Sequence, residues 1–328
     1  MPRLCVYGTV LNSVDTLERS IASFYRPDAE IVIVDGGSTD GTYERLLEIS
    51  KDYNLKVHRL PGSSRGLGRQ YALYKCPEGS YAVAVLDLDD EYNQYFHRYV
   101  DWAVSSVGGP APAPFVSLRE HALSRGGWRD LNYAEEVEFV VRVGFSRCLQ
   151  VPIRRTIFRA PAGREARYAR GLGYIGRLLR VGVDDFRGNG YRLAERVLAE
   201  AERLGGSPRL LATVPLIALE SVASPTRYRA CGPLTNRELF DLLCLSSLED
   251  PSRAVGLPRD EAYTSFHRSL AAKVRLRDLT ALAESALGPL PHAYSCTNGQ
   301  YLLARSEAGR EAYEASAARR DVRCAPAP

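Results

Sequence analysis

Tyr81–Asn93 reads YAVAVLDLDDEYN, and this stretch decides the fold. An apolar run of Tyr, Val, Ala and Leu without polar alternation reads as a strand buried on both faces, as in a parallel sheet covered by helices. It stops abruptly at Asp87, Asp89 and Asp90. Carboxylates crowded at one strand end repel one another unless something positive sits among them. The carboxyl end of a parallel strand is where open α/β sheets bind ligands. Oxygen-rich sites of this kind suit Mg2+ or Mn2+, which keep positions open for water and substrate phosphates. The acids therefore point to a site for a divalent metal and a nucleoside diphosphate. The alternative is that they are loop and N-cap residues leading into the next helix.

Upstream, the chain repeats one pattern. Leu4–Leu11 reads as a first strand, with Asn12 or Ser13 capping a helix over Val14–Phe24, where Leu17, Ile21 and Phe24 recur at helical spacing. Glu30–Val34 is a β-branched run ending in DGGSTDGT, Asp35–Thr42, before a helix through Ile49. Strand, Gly-rich acidic turn and helix together form a βαβ signature. Backbone amides at such a turn, around Gly37, can receive the polar groups of a nucleotide, and Asp35 can accept hydrogen bonds from a base or ribose. Lys56–Leu60 is a third strand, followed by GSSRGLGRQYALYKC, Gly62–Cys76, in which Arg65 and Arg69 point toward the same crevice and hold a phosphate or pair with the acids.

These motifs resemble those of family 2 glycosyltransferases, which have the GT-A fold, over residues 4 to about 145. In that family the first strand ends near a Thr and an Asn, here Thr9 and Asn12, and the second ends in an acidic Gly-Ser-Thr-Asp-Gly-Thr turn, here Asp35–Thr42. The family's Arg-Asn helix matches Arg69-Gln70, and its Asp-x-Asp-Asp strand end, the DXD motif, matches Asp87-Leu88-Asp89-Asp90. The resemblance implies that Asp35 and Thr9 bind the nucleoside and Arg69 or Arg65 the diphosphate side. It implies that Asp87 touches the ribose and Asp89 holds the metal, with Asp90 as an alternative ligand.

Downstream, GGWRDLNYAEEVEFVVRVG, Gly126–Gly144, is similar to the family's Gly-Gly-Phe segment and the Glu-Asp pair that opens the helix of the catalytic base. Ala134-Glu135-Glu136 replaces Gly-Glu-Asp, so Glu136 takes the base position and Glu135 precedes it. Inversion at an anomeric carbon needs a carboxylate to take the acceptor hydroxyl's proton while a metal neutralises the departing diphosphate. Trp128 is a candidate floor for the acceptor pocket, or a core residue. There are departures from the family. Gly36 stands where many relatives have a second acid, Leu11 where an aromatic often stacks on the base, and no QxxRW motif of processive synthases follows. The pattern implies a single sugar transferred from a UDP or GDP type donor to a hydroxyl acceptor, with a lipid-linked acceptor included. A polyprenyl-phosphate glycosyltransferase is the nearest rival, and a non-catalytic nucleotide-sugar-sensing regulator comes from another class.

Composition sets limits on these readings. The 328 residues accommodate a large α/β domain and an appendage. A hydrophobic fraction of 45% and a net charge of +4 suit an ordinary soluble protein, and nucleic acid is not an expected partner. Only four lysines occur, at 51, 56, 75 and 273, so arginine supplies 39 of the 43 basic residues. This bias fits a thermophile or a GC-rich genome. Seven scattered cysteines, at 5, 76, 148, 231, 244, 296 and 324, with no CxxC pair, argue against both a zinc site and a complete disulfide framework. With no apparent signal peptide and no apolar run near the roughly 20 residues a membrane span requires, a cytoplasmic protein is expected, with a peripheral membrane contact as an option.

The fold class is thus α/β: a GT-A, Rossmann-like, mostly parallel sheet over 1–150, a helical extension over 151–230, a region resembling a winged-helix domain over 231–322, and a tail over 323–328. Arg164–Val183 reads as a basic amphipathic helix, which packs on the catalytic domain or rests on lipid headgroups. Leu210–Val222 reads as a buried helix. Thr235 with Glu238 is a capping-box pattern. Tyr263–Arg275 is the candidate recognition helix, and Thr297–Arg305 reads as a hairpin turning at Asn298-Gly299.

Overall fold

Strand β1, Leu4–Val10, runs into α1, Leu17–Phe24, and the pattern repeats through β2, Ala29–Asp35, α2, Thr42–Ile49, β3, Leu55–Arg59, and α3, Arg65–Lys75. β4, Tyr81–Ala84, then leads to β5, Asp90–Tyr92, and α4, Gln94–Ser105. β6, Val116–Leu118, α5, Arg119–Ser124, α6, Glu135–Val143, and β7, Arg154–Thr156, complete the first half. The computed structural model describes residues 3–86, 88–105, 109–157, 172–203, 209–224, 226–229, 232–316 and 322–327. Asp87, Cys231 and residues 164–171 of the arginine-rich segment Arg164–Val183 lie outside them.

The main sheet has the order β3-β2-β1-β4-β6, parallel except for β6, which runs antiparallel to β4. Every residue of β2 is buried, and the strand alternates between two cores. Ile31 and Ile33 pack with α1, α2 and α4 on one face, whereas Val32 and Val34 pack with α3, α5 and α6 on the other. Burial on both faces is why the run lacks polar alternation. Because the chain moves outward from β1 to β3 and then returns to place β4 on the other side of β1, the order reverses between β1 and β4. Ligand crevices form at such a switch point. The two strands lie so close there that a Cβ added to Gly8 would meet Val85 at 2.8 Å.

The second half opens with three helices, α7, Leu172–Asn189, α8, Leu193–Arg203, and α9, Arg209–Ala223. Next come α10, Asn236–Ser246, α11, Pro251–Ala254, β8, Tyr263–His267, α12, Arg268–Ala271, and α13, Leu276–Leu287. β9, His292–Cys296, β10, Gln300–Ala304, α14, Glu307–Ser316, and β11, Cys324–Pro326, end the chain. β8 to β11 form a four-stranded antiparallel sheet in the order β11-β9-β10-β8.

Three expectations change here. Tyr263–Arg275 holds no recognition helix: Tyr263–His267 pairs with β10 as a strand, and only Arg268–Ala271 is helical. The supposed tail supplies the edge strand β11. Leu210–Val222 is helical but not buried. Only its Ile217 and Glu220 side turns inward, while Leu211, Leu219 and Val222 face out. No helix among the described residues is long and apolar enough to cross a membrane.

The cysteine reading is overturned as well. Cys5 pairs with Cys76, Cys148 with Cys244 and Cys296 with Cys324, with Cα atoms 5.8, 5.2 and 4.0 Å apart. Cys148–Cys244 fastens the chain after α6 to α10. Beside it, Cys148 exchanges backbone hydrogen bonds with Ser247 and Glu249, and Glu249 takes the Arg147 guanidinium at 2.7 Å and the Trp102 indole N–H at 3.2 Å. The two halves are therefore joined covalently and by a hydrogen-bonded ion pair.

Candidate active site

The crevice at the β1/β4 switch is framed by the turn after β2. There Asp35 is fully buried and accepts the backbone N–H groups of Gly37 and Ser38 at 3.0 Å, with the Arg59 guanidinium 3.4 Å away. A carboxylate held by its own turn stabilises Gly37 at φ +100°, a left-handed conformation that glycine adopts without a Cβ penalty. Asp35 thus shapes the turn instead of presenting an open carboxylate to a base. Asn12 laces β1 to the same turn: its amide N–H donates to Ser38 Oγ at 2.8 Å, and its side-chain oxygen accepts from Thr39 N at 2.9 Å. Thr9 donates to the Val34 carbonyl at 2.9 Å. Beside it α3 comes so near that a Cβ on Gly68 would meet Thr9 Oγ1 at 2.3 Å.

Arg69 and Arg65, one helical turn apart on α3, have different environments. Arg69 is 1% exposed and its Nη1 lies 2.7 Å from Glu135 Oε1, while Nη2 donates to the Leu86 carbonyl at the end of β4. Its guanidinium also stacks over the Trp128 ring, 5.0 Å from the centroid. Arg69 therefore pins α6 to β4 from within and does not reach out to a diphosphate. Arg65 keeps 43% of its side chain exposed, with Nη1 3.7 Å from Glu135. Of the two arginines, it is the one at the mouth of the crevice.

The helix of the candidate base begins with Ala134 at φ 57°, the left-handed region in which L side chains are strained. The family's glycine at this place suits the backbone better than the alanine found here. Glu135, the next residue, is wholly buried between Arg69 and Arg65. Burial and the adjoining Glu136 push its carboxyl up to about 7, against the downward pull of the two arginines. Its place in the pair makes it a positioning group. Glu136 is half-buried, one residue further round α6, and Arg237 on α10 and Asp185 on α7 feel its charge.

Trp128 belongs to the core and does not floor an acceptor pocket. It is 3% exposed, stacks on Phe139 with centroids 4.0 Å apart, and donates through Nε1 to the Tyr7 hydroxyl at 2.9 Å. Gln70, a role missed in the sequence, takes the Trp128 backbone N–H at 2.7 Å through its side-chain oxygen. Adjacent residues 69 and 70 thus brace Glu135 and Trp128, both upstream of the candidate base Glu136.

At the end of β4, Asp89 is half-buried in the turn that follows Leu88. Asp90 is buried as the first residue of β5, and its Oδ2 lies 2.6 Å from Arg154 Nη1 on the paired strand β7. The positive charge among the acids is thus supplied to Asp90 by Arg154, which removes Asp90 as an alternative metal ligand. Among the described residues no cluster of three or more His, Cys, Asp or Glu side chains is arranged to hold a metal alone. Asp89 is the acid of this strand end whose side chain keeps partial exposure among the described residues.

The described crevice thus combines a topological switch point, the half-buried Asp89, the half-exposed Arg65 and the buried Arg69–Glu135 pair. Residues 5–103 match the model of glycosyl transferase family 2. No curated protein matches the chain. Among solved structures, S. aureus TarS 1-349 in complex with UDP-GlcNAc is 16% identical with a TM-score of 0.42, over 75% of this chain and 84% of that one. The mannosyltransferase PcManGT from Pyrobaculum calidifontis, in complex with GDP-Man and Mn2+, is 18% identical with a TM-score of 0.37, over 67% and 69%. Against the longer TarS chain the identity is 21% and the TM-score 0.34, over 44% of this chain and 33% of that one.

Proposed function

We propose that the protein is an inverting glycosyltransferase that moves one sugar from a nucleoside diphosphate sugar to an acceptor hydroxyl. The observation that carries this reading is the division of labour at α6. Glu135 is locked to Arg69 inside the fold, while the adjacent Glu136, at the base position of the family 2 pattern, is left half-buried. In the proposed step the acceptor oxygen attacks the anomeric carbon and its proton passes to the Glu136 carboxylate. The bond from that carbon to the diphosphate oxygen breaks, and its electron pair leaves with the nucleoside diphosphate.

Arg65 at the crevice mouth offers a guanidinium fork to the diphosphate. The Thr9 and Asn12 region, laced to the turn after β2, borders the nucleoside end. Asp89 would hold Mn2+ or Mg2+, which would supply charge compensation for the leaving diphosphate. The outward-facing Leu211, Leu219 and Val222 on α9 favour a second reading, in which the acceptor is a polyprenyl phosphate met at a membrane surface. An anionic acceptor of that kind has less need of Glu136.

Thermal melting with UDP, GDP, TDP and CDP, each with and without Mn2+, tests the donor site. A rise in melting temperature with one diphosphate that depends on Mn2+ and is lost in Asp89→Ala is the expected result. No rise with any of the four would overturn it.

A further inference from the structure

A cavity of about 240 Å³ lies where the two halves meet, beside the loop that bears Asp89. Leu86 and Tyr92, on either side of the acids, both belong to its wall. Much of the remaining lining is aromatic or aliphatic, with Phe96, Phe115 and Phe240 prominent. The polar exceptions are few. Gln150 is already engaged, its oxygen taking Ser265 N at 2.7 Å and its nitrogen donating to Ser265 O at 3.2 Å. Arg154 is paired with Asp90 at 2.6 Å. Asp241 accepts the His267 N–H at 2.7 Å.

Arg237, at the start of α10, is different. Its nearest carboxylate, on Asp241, is 3.6 Å away, and its Nε is buried without a hydrogen-bond partner. Although it lies between the two halves, 36% of its side chain remains open, and it lines the cavity. Asp241 first and Glu136 second hold it cationic against burial, which places it within electrostatic reach of the candidate base. A cation with unused donors at the end of an apolar chamber is an anchor for an anion with an apolar body.

We propose that this cavity is the acceptor pocket, and that it takes a hydroxyl acceptor with an aromatic or aliphatic body and a carboxylate or phosphate held by Arg237. The inference rests on the transferase reading and names its acceptor class. The anionic group fixes the acceptor at the Arg237 end, and the hydroxyl extends toward Glu136 and the loop of Asp89.

Titration calorimetry of the full chain with phenyl phosphate, 4-hydroxyphenylacetate and neutral phenol tests it and distinguishes the phosphate from the carboxylate. One of the two anions binds at one site per chain, about tenfold or more tighter than phenol. Arg237→Gln removes that preference while keeping the melting shift caused by a nucleoside diphosphate with Mn2+. Ser265→Phe, which keeps the guanidinium and fills the cavity from β8, abolishes anion binding. Phenol binding as tightly as both anions, neither anion binding, or a preference that survives Arg237→Gln would overturn the proposal. Anion binding that depends on Arg237 in a protein that ignores every nucleoside diphosphate would refute the transferase reading and leave the pocket standing.

Discussion

Arg69 shows how much of this site depends on a single side chain. It satisfies Glu135 and the Leu86 carbonyl together, and its ring contact with Trp128 adds a third restraint. Removing Arg69 leaves the buried Glu135 carboxyl to take up a proton or stay unsolvated, and breaking a buried pair in this way costs about 3–5 kcal/mol. Arg69→Ala is therefore expected to destabilise the protein by about that amount in denaturant unfolding. The Arg69→Met, Glu135→Leu double variant should recover a large part of it. At this scale the chain was only partly legible. Asp89 and Glu136 stood out because acids at strand ends and helix starts follow local patterns. The burial of Arg69, Trp128 and Asp35 is set by residues far along the chain, such as Glu135 and Tyr7, and leaves no local mark.

Among the elements, α10 and the β8–α12 corner show the same contrast. The Thr235–Glu238 capping box is present in full: Glu238 N donates to Thr235 Oγ1 at 3.3 Å, and Thr235 N donates to Glu238 Oε2 at 2.8 Å. Four consecutive positions sufficed to read it. β8 was misread because Tyr263–His267 runs into Arg268-Ser269-Leu270-Ala271, a helical stretch, while its pairing with β10 lies more than thirty residues away. His267 caps α12, its Nδ1 lying 3.3 Å from Ser269 N as acceptor. Burial, aided by Arg237, pushes the imidazole from its ordinary 6.5 down to about 4. A histidine held neutral in the fold contributes stability that is complete above its unfolded pKa and is lost as pH falls. The melting temperature should therefore decline between about pH 6.5 and 4. His267→Asn keeps a capping oxygen and has no such titration, so its profile should be flatter across that window.

Over the whole molecule, the mostly parallel sheet and the αβ alternation followed from strand runs such as Ala29–Asp35, whose complete burial removes polar alternation. The covalent framework did not follow. Cys5 and Cys76 are 71 residues apart, and Cys148 and Cys244 are 96 apart, so spacing alone carries no pairing signal. The Cys148–Cys244 bridge closes a long loop and ties α10, with Arg237, against the first half. Cys148→Ser with Cys244→Ser is expected to lower unfolding stability by about 2–4 kcal/mol, read from the denaturant midpoint. A double variant as stable as the parent would mean that the ion pair of Arg147 and Glu249 and the surrounding core hold the halves together unaided.

The most direct test of the central claim is turnover. Release of nucleoside diphosphate from UDP- and GDP-sugars with Mn2+ should be measured for the native protein, Asp89→Ala and Glu136→Gln. The account predicts release by the native chain, loss in Asp89→Ala, and a fall of about a hundredfold or more in Glu136→Gln when an acceptor is supplied. Release that continues unchanged in both variants would contradict it.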